Sequence, residues 1–595
     1  MAIAADRNSD LFIDGELVAG GNGRYPTINP ATEEILGTAA DGNAEDMSRA
    51  IDAARRAFDT TDWSTNTELR VRGIRQLRDA MKEHVEELRE MTMAEVGAPR
   101  MLTAAAQLEG PVEDLSFSAD TAESYSWRHD LGIAAPMGIK TQRTIVREAV
   151  GVVGAITPWN FPHQINLAKL GPALAAGNTI VLKPAPDTPW CAAVLGELIA
   201  EHTDIPPGVV NIVTSNDHAV GAMLSSDPRV DMVSFTGSTN TGRAVMAAGA
   251  ATIKKVFLEL GGKSAFLVLD DADLAGACSM AAFTASMHAG QGCAITTRLV
   301  VPRARYDEAV EAAAATMGGI KAGDPTNPGT ICGPVISERQ RDRVQSYLDL
   351  AITEGGRFAC GGGRPADRDT GYFISPTVIA GLDNSARVAR EEIFGPVLTV
   401  IAHDGDDDAV DIANDSPYGL SGSVFSSDPE RAQGVADRLR VGTVNVNGGV
   451  WYSADVPFGG YKQSGGRQGN GSGGVRGIPR AQSHCHSGLT APQTREELRW
   501  DSSTTRWPSS PAQAAVSARR MPRRSPGKAP PWWSPTSTPK ARKRSPTRSW
   551  VRAAQHWRCR LTSVIRCRPR RWPIRLSPNS AASTIWSTTP RSSAG

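Results

Sequence analysis

The stretch DMVSFTGSTNTGRAV, residues 231–245, decides the fold class. A short run of β-branched and aromatic residues ends in a glycine-containing turn, and a helix-like run follows at once. Similar strand-like runs precede it, each separated from the next by helix-like sequence: GVVGAIT at 151–157, NTIVLKP at 178–184 and VVNIVT at 209–214. Strands and helices that alternate in this way build a parallel sheet with helices on both faces. The sequence therefore predicts a doubly wound α/β fold.

A second series of strand-like runs continues the α/β pattern to about residue 447: KKVFLEL, SAFLVL, TRLVVP and GTVNVN. Before residue 100, apolar residues at spacings of three and four predict two amphipathic helices. These residues are Met47, Ile51, Ala54 and Phe58 in the first helix and Ile74, Leu77, Met81 and Leu88 in the second. A chain of 595 residues is too long for one hydrophobic core, so two or three domains are expected.

Charge divides the chain near residue 501. Residues 502–595 contain 20 Lys and Arg but no Asp or Glu, whereas the first 501 residues have 44 basic and 63 acidic side chains, a net charge of −19. From Gly466 onward the chain is rich in Pro, Ser and Arg and has no apolar periodicity. Such a composition buries too little apolar surface to offset chain entropy, so this tail is predicted to be disordered.

The eight cysteines are scattered, without the paired spacing of a zinc site or the density of a disulfide scaffold. No metal is therefore expected, and a reducing compartment fits this usage best. The first residues lack a cationic start followed by an apolar run, and about 18 consecutive apolar residues occur nowhere. We expect a soluble, cytoplasmic protein with no membrane partner.

Three residues carry possible chemistry, and each has an ordinary alternative. Cys293, in HAGQGCAITTR, is a nucleophile or a small buried side chain, and lone cysteines are more often the latter. Glu259, in VFLELGGKSAFLV, is an ion-pair partner or a general base with a raised pKa. Asn160, in ITPWNFP, donates to an oxyanion or caps a turn. For His288 an ordinary polar role is expected.

The turn FTGSTNTG offers a possible phosphate site. Gly237, Ser238 and Gly242 lie where backbone N–H groups and a helix N-terminus hold a pyrophosphate, but the GxGxxG spacing is missing and such turns are often only turns. Lys183, directly after a strand, is a cofactor-facing cation or a solvated surface residue.

Six motifs occur in the order and approximate spacing of one family: PWNFP, FTGSTNTG, LELGGK, GQGC, EEIFGP and PFGGYKQSG. Over about residues 10–465 the chain resembles the NAD(P)-dependent aldehyde dehydrogenase superfamily. The resemblance implies two doubly wound, Rossmann-like α/β domains and a small β arm for oligomerisation. Its implied boundaries are 1–125 and 151–255 for the dinucleotide-binding domain, 126–150 for the arm, 256–430 for the catalytic domain, 431–465 for a return to the first domain and 466–595 for the tail.

By this resemblance Cys293 is the catalytic thiol, Glu259 the general base and Asn160 the side-chain donor of the oxyanion hole. The implied reaction oxidises a small-molecule aldehyde to its acid with NAD(P)+ through a hemithioacetal and a thioester on Cys293. An acylation that consumes coenzyme A is the alternative enzymatic reaction. A fold inactivated or destabilised by its altered C-terminus is the non-enzymatic alternative.

The resemblance also implies the cofactor and substrate contacts. Predicted cofactor residues are Ile156, Thr157, Pro158, Trp159, Lys183, Gly237, Ser238, Gly242, Leu260, Glu392 and Phe394; predicted substrate-lining residues are Phe161, Trp451 and Phe458, which suit an apolar aldehyde. NAD is the expected cofactor. Pro186 stands where many NAD-preferring relatives have an acidic residue, so NADP remains an alternative.

After PFGGYKQSG the family pattern stops. Relatives continue with a helix and a terminal strand that joins a neighbouring subunit, so the family dimer or tetramer is expected to be impaired here. Permitted codons for residues 467–490, read one nucleotide later, give a family-like ending followed by a stop. Codons for residues 499–514, read two nucleotides later, resemble the opening of a short-chain dehydrogenase. We interpret the tail as frame-shifted translation; a basic arm for nucleic acid is the weaker alternative, and no nucleic acid partner is expected.

Overall fold

A computed structural model describes residues 7–448, 452–466 and 483–486. The strands are β1 Arg7–Ser9, β2 Leu11–Ile13, β3 Glu16–Val18, β4 Arg24–Ile28, β5 Ile35–Ala40, β6 Arg128–Ala134, β7 Thr141–Val146, β8 Val152–Ile156, β9 Thr179–Lys183, β10 Val210–Ile212, β11 Met232–Thr236, β12 Lys255–Glu259, β13 Ser264–Val268, β14 Thr296–Pro302, β15 Arg357–Cys360, β16 Thr377–Ala380, β17 Val397–His403, β18 Tyr418–Gly419, β19 Ser421–Phe425, β20 Thr443–Val446, β21 Tyr461–Lys462 and β22 Ser483–His486. The helices are α1 Ala44–Thr60, α2 Thr67–Glu83, α3 Val85–Val96, α4 Arg100–Thr103, α5 Glu109–Ser124, α6 Pro162–Ala175, α7 Trp190–His202, α8 His218–Ser226, α9 Thr239–Gly249, α10 Leu274–Ser286, α11 Tyr306–Gly319, α12 Glu338–Thr353, α13 Arg387–Arg390, α14 Asp406–Asn414 and α15 Pro429–Ala436.

The first large sheet has seven strands in the order β12-β11-β8-β9-β10-β2-β3. Strands β8 to β12 pair in parallel, and the β2–β3 hairpin adds an antiparallel edge. Ile156 pairs with Lys183, and Thr236 pairs with Glu259, so the carboxyl ends of these strands lie side by side. Ligands bind at this edge of parallel α/β sheets. The doubly wound α/β fold predicted from the sequence is confirmed.

The first predicted amphipathic helix, α1, packs on the strands of this sheet, whereas α2 packs on α5, α6 and α7. The second predicted helix is divided, because α2 ends at Glu83 and Leu88 lies in α3. In α1, Met47 and Ile51 are fully buried, and a capping box between Asn43 and Asp46 fixes its first turn. In α2, Ile74 and Leu77 are fully buried. Among the described residues no helix is long and apolar enough to cross a membrane.

The second large sheet has eight strands in the order β15-β16-β17-β14-β13-β19-β20-β22. All neighbouring pairs are parallel except β15 with β16. Strand β12 pairs with β11 and so belongs to the first sheet. Strand β20 pairs with β19 and so belongs to the second sheet. Local sequence does not encode which sheet a strand joins.

The segment expected to form an arm is an antiparallel hairpin of β6 and β7. It exposes several large apolar side chains, the most exposed being Ile133 at 71%, Met137 at 98% and Ile139 at 69%. Large exposed apolar side chains grouped on one hairpin are typical of a surface that contacts another molecule.

The C-terminal tail contributes one described element. Strand β22, Ser483–His486, pairs in parallel with β20 at the edge of the second sheet. The structure thus differs from the expected disorder at these four residues, because the backbone groups along the edge of β20 accept a strand of any composition. The rest of the tail, like Trp451, lies outside the described residues.

Candidate active site

A cleft lies where the carboxyl ends of β8, β11 and β12 meet the loop that precedes β14. It encloses about 1190 Å³, including the part that is open to solvent. Ten of the predicted site residues line it: Pro158, Trp159, Asn160, Gly237, Ser238, Glu259, Leu260, Cys293, Glu392 and Phe394. The structure therefore brings the thiol, the carboxylate and the amide into one cleft, although they are far apart in the sequence.

Glu259 ends β12 and is 6% exposed. Neither of its carboxylate oxygens has a hydrogen-bond partner among the described residues. Burial raises the pKa of Glu259 well above its ordinary value; the Lys169 ammonium opposes this effect, and Glu392 adds to it. A buried, unpaired carboxyl with a raised pKa is suited to accepting a proton from water.

Cys293 is half-buried in the loop before β14. Burial raises the pKa of its thiol, and the carboxylates of Glu259 and Glu392 raise it further. The backbone N–H groups of Cys293 and Ala294 act in the opposite direction. Burial and the two carboxylates thus both disfavour the thiolate, and a base or cation beside the thiol would favour it.

Asn160 follows β8 and is 3% exposed. Its side-chain Nδ2 donates to the main-chain carbonyl of Gln291 over 2.8 Å, which fixes the plane of the amide. An amide nitrogen carries two hydrogens, so one remains to donate into the cleft. The amide of Asn160 thus bonds to a distant loop, 131 residues along the chain, and not to the turn in which the residue lies.

Glu392 is held by a close approach of the backbone. The N–H of Gly262 donates to its Oε1 over 3.0 Å, and burial raises the pKa of Glu392 to about 7. A Cβ on Gly261 would lie 2.2 Å from the other carboxylate oxygen of Glu392. Both glycines of LELGGK are thus required for packing: a Cβ on Gly262 would lie 2.7 Å from the carbonyl oxygen of Cys293.

The turn after β11 leads directly into helix α9, as the sequence predicted. Ser238 is the N-cap of the 11-residue helix α9, and its Oγ accepts from the N–H of Thr241 over 3.3 Å. The remaining first-turn N–H groups and the helix dipole point toward the cleft end of α9. Across the cleft, the rings of Trp159 and Phe394 are in edge-to-face contact at 5.3 Å.

Four predicted cofactor residues do not line the cleft: Ile156, Thr157, Lys183 and Gly242. Lys183 is buried, and its Nζ donates to the carbonyl of Ser215 over 2.9 Å. Burial lowers the pKa of Lys183 to about 8, against the attraction of Asp187, Asp41 and Asp217. Gly242 allows α9 to approach β12, since a Cβ there would lie 2.5 Å from the side chain of Leu260.

Of the predicted substrate-lining residues, neither Phe161 nor Phe458 lines the cleft. Phe161 packs edge-to-face on His288 at 5.2 Å, and Phe458 contacts the Tyr452 ring at 5.5 Å. A separate pocket of about 500 Å³, open space included, lies between α5, α6 and the 452–454 segment. Its wall is mainly apolar, with Leu115 and Ala168 among its residues.

Sequence reasoning missed two kinds of residue. Lys169 on α6 is buried, donates to Ser234 Oγ over 2.9 Å and is the cation that acts on Glu259. Gln107 and Gln291 are fully buried and bond the backbone around Asn160 and the cysteine loop. A lysine within an apolar helix-like run could have been noticed in the sequence. Nothing in the sequence around the two glutamines distinguishes them.

This combination of fold and cleft is that of a family of oxidoreductases. The chain belongs to the aldehyde dehydrogenase family, whose model matches residues 17–482. It is 41% identical over 461 residues to geranial dehydrogenase from Castellaniella defragrans, covering 76% of this chain and 94% of that protein. The crystal structure of betaine aldehyde dehydrogenase from Staphylococcus aureus in complex with NAD+ is similar, with a TM-score of 0.76, 38% identity and coverage of 79% and 93% of the two chains. Aldehyde dehydrogenase C from Pseudomonas syringae, a mutant in complex with NAD+ and octanal, has a TM-score of 0.74, 39% identity and coverage of 78% and 94%. The predicted family is confirmed.

Proposed function

We propose that the protein oxidises an aldehyde to the free carboxylic acid with NAD+, through a thioester on Cys293. The observation that carries the proposal is the unpaired, buried carboxyl of Glu259 in the same cleft as the thiol. This pairing supplies both a nucleophile and a base for water, which the two halves of the reaction require.

The cleft residues fit a dinucleotide. We infer that Ser238 and the first turn of α9 hold its pyrophosphate and that Glu392 accepts from a ribose hydroxyl. When bound, NAD+ supplies the hydride acceptor. Similar proteins were solved with NAD+. Three acidic residues, Asp41, Asp187 and Asp217, act on Lys183. Their combined negative charge disfavours a 2′-phosphate, so we propose NAD rather than NADP.

In the first half of the reaction the Cys293 sulfur attacks the aldehyde carbon, while the thiol proton passes to the Glu259 carboxylate and from there to solvent. The free N–H of the Asn160 amide and the backbone N–H of Cys293 stabilise the negative oxygen of the tetrahedral adduct. Because Asn160 is already fixed by its bond to Gln291, the donor needs no reorganisation when charge develops. Loss of hydride from the adduct then leaves a thioester on Cys293.

In the second half Glu259 accepts a proton from water, and the water oxygen attacks the thioester carbonyl. The acid leaves as the proton passes from Glu259 to the Cys293 sulfur, which restores the thiol. The raised pKa of Glu259 makes its carboxylate a stronger base than an exposed glutamate. A base poised for water favours hydrolysis over transfer to coenzyme A.

We infer an apolar aldehyde as substrate. Helix α6 begins just after Asn160 and Phe161, and the apolar pocket runs beside it from Gln164 to Pro172 and beyond. At a rise of about 1.5 Å per residue this segment spans about 12 Å, the length of a medium-chain aldehyde. The carbonyl would thus meet the thiol while the apolar chain lies along α6.

Two variants test the function. Cys293→Ala should abolish NADH formation from octanal, whereas Cys278→Ala, which removes a buried cysteine of α10, should retain it. Glu259→Gln should give a single burst of NADH and then accumulate the thioester, detectable as an acyl adduct by mass spectrometry. Undiminished steady-state turnover of Glu259→Gln, or formation of acyl-coenzyme A without free acid, would overturn the proposal.

We infer further that the tail after residue 466 results from a shift of reading frame, because residues 502–595 have no acidic side chain. Resequencing the gene around codon 465 tests this. An intact frame would contradict it.

A further inference from the structure

The main-chain carbonyl of Asn160 is held by two side chains that the proposed mechanism does not use. Gln107 Nε2 donates to this oxygen over 2.8 Å, and His288 Nε2 lies 2.8 Å from the same oxygen. Gln107 is 0% exposed, His288 1% and Asn160 3%, so water does not compete for these bonds. A carbonyl oxygen has two lone pairs and accommodates both donors.

The contact defines the state of the His288 ring. A carbonyl oxygen only accepts, so the 2.8 Å contact assigns the hydrogen to Nε2, and the 3.2 Å approach of Gln107 Nε2 to the same nitrogen is then a contact between two donors. Burial lowers the pKa of His288 to about 4, although the Asn160 carbonyl acts in the opposite direction. The ring is therefore neutral at neutral pH, and its Nδ1 has no partner among the described residues. His288 is a fixed donor rather than a proton carrier.

The same residues tie the cysteine loop to Asn160. The Asn160 amide donates to the Gln291 carbonyl over 2.8 Å, and Gln291 Nε2 donates to the His288 carbonyl over 3.1 Å. His288 and Ala289 have φ angles of 52° and 51°, a left-handed conformation that non-glycine residues adopt at a cost. The hydrogen bonds of the His288 ring and backbone offset that cost and hold the loop that leads to Cys293.

We propose that His288 and Gln107 are positioning residues, which fix the Asn160 amide relative to Cys293 and thereby the geometry of the oxyanion hole. The proposal rests on the proposed function, in which Asn160 stabilises the oxyanion. Neither residue touches substrate in this role. Without the two donors the backbone at Asn160 turns, and the free N–H no longer points at the thiol-bound oxygen.

Two reagents that modify Cys293 distinguish a role in positioning the oxyanion hole from a general role in folding. Neither reagent needs NAD+. With p-nitrophenyl acetate, the Cys293 thiolate attacks the ester carbonyl through a tetrahedral oxyanion and p-nitrophenolate leaves. With iodoacetamide, the thiolate displaces iodide from carbon and no oxyanion forms. A positioning residue for the oxyanion hole affects the first rate and leaves the second unchanged.

The expected results come from a double-mutant cycle in the full-length protein. Asn160→Ala should slow acylation by p-nitrophenyl acetate about 100-fold, as for the loss of one oxyanion donor. His288→Ala and Gln107→Leu should each slow it about tenfold, as for a misplaced donor. In the Asn160→Ala background, His288→Ala should have no further effect. Alkylation by iodoacetamide should stay at the parent rate throughout.

Two further variants control for folding. His288→Gln places an amide donor near the position of Nε2 and should recover most of the acylation rate. His403 is also buried, with Nε2 3.0 Å from the Val268 carbonyl, but lies away from the cleft. His403→Ala should lower the melting temperature and leave the acylation rate unchanged.

The outcomes distinguish the two levels of the proposal. If Asn160→Ala does not slow acylation, its oxyanion role and the proposed mechanism fail. If Asn160→Ala slows acylation but His288→Ala slows it equally in both backgrounds, or slows alkylation as much, the positioning role is overturned. If His288→Ala does not fold, the other two variants decide. The positioning role is overturned if His288→Gln acylates as slowly as Asn160→Ala, or if Gln107→Leu acylates at the parent rate.

Discussion

The side-chain amide of Asn160 donates to the main-chain carbonyl of Gln291, 2.8 Å away and two residues before Cys293. This bond joins the loop after β8 in the first sheet to the loop before β14 in the second. The proposed oxyanion donor and the proposed nucleophile are therefore linked by one buried contact across the cleft, and changes in either loop should affect both.

Lys169 should set the pH dependence of turnover. Its ammonium lowers the pKa of Glu259, so Lys169→Met should raise that pKa further and leave less carboxylate at neutral pH. Because turnover requires ionised Glu259, the rising limb of kcat against pH should move to higher pH, with recovery in alkaline buffer. Lys321→Met, at an exposed lysine, is the control. A profile of Lys169→Met that superposes on the parent profile would contradict this role.

Gly261 should be essential for cofactor binding. In Gly261→Ala the new Cβ would lie 2.2 Å from the Glu392 carboxylate, which must move. We expect the KM for NAD+ to rise at least about tenfold, the equivalent of about 1.4 kcal/mol, and direct binding measured by calorimetry to weaken equally. Gly434→Ala, in helix α15 with open space around the site, should leave binding unaltered. An unchanged affinity for Gly261→Ala would remove Glu392 from the cofactor site.

Ala168 should limit the length of the aldehyde. The residue lies on α6 in the apolar pocket, and Ala168→Trp would fill the space beside it. The kcat/KM for octanal should fall about tenfold or more, while that for propanal changes little. Ala168→Gly, which adds no volume, is the matched control. Equal losses for the two aldehydes would show that the substrate chain does not run along α6.

The β6–β7 hairpin should contact a second copy of the chain. Ile133 and Met137 are among its most exposed apolar residues, and their burial between copies would stabilise an assembly. The double variant Ile133→Ser, Met137→Ser should elute as a smaller species on a sizing column and retain its fold by circular dichroism. Ile253→Ser, at an even more exposed isoleucine outside the hairpin, should not change the elution. If the double variant and Ile253→Ser elute at the same volume, the hairpin is excluded from the interface.

The sequence by itself determined the local elements and the identity of the main cleft residues. The spacing of apolar residues and the residues typical of turns predicted α1, α2 and the parallel strands, because both depend only on neighbours in the chain. Motif order then identified the family and ten residues that line the cleft, among them Cys293 and Glu259.

Only the tertiary structure decided which distant groups meet. Gln107 and His288 reach the Asn160 carbonyl from positions 53 residues before and 128 residues after it. Lys169 approaches Glu259 only because α6 packs against the sheet that ends in β12. Strand order likewise assigned β12 to the first sheet and β20 to the second. Such contacts arise from long-range packing and from backbone carbonyls, which every residue has, so the sequence does not show which groups will meet.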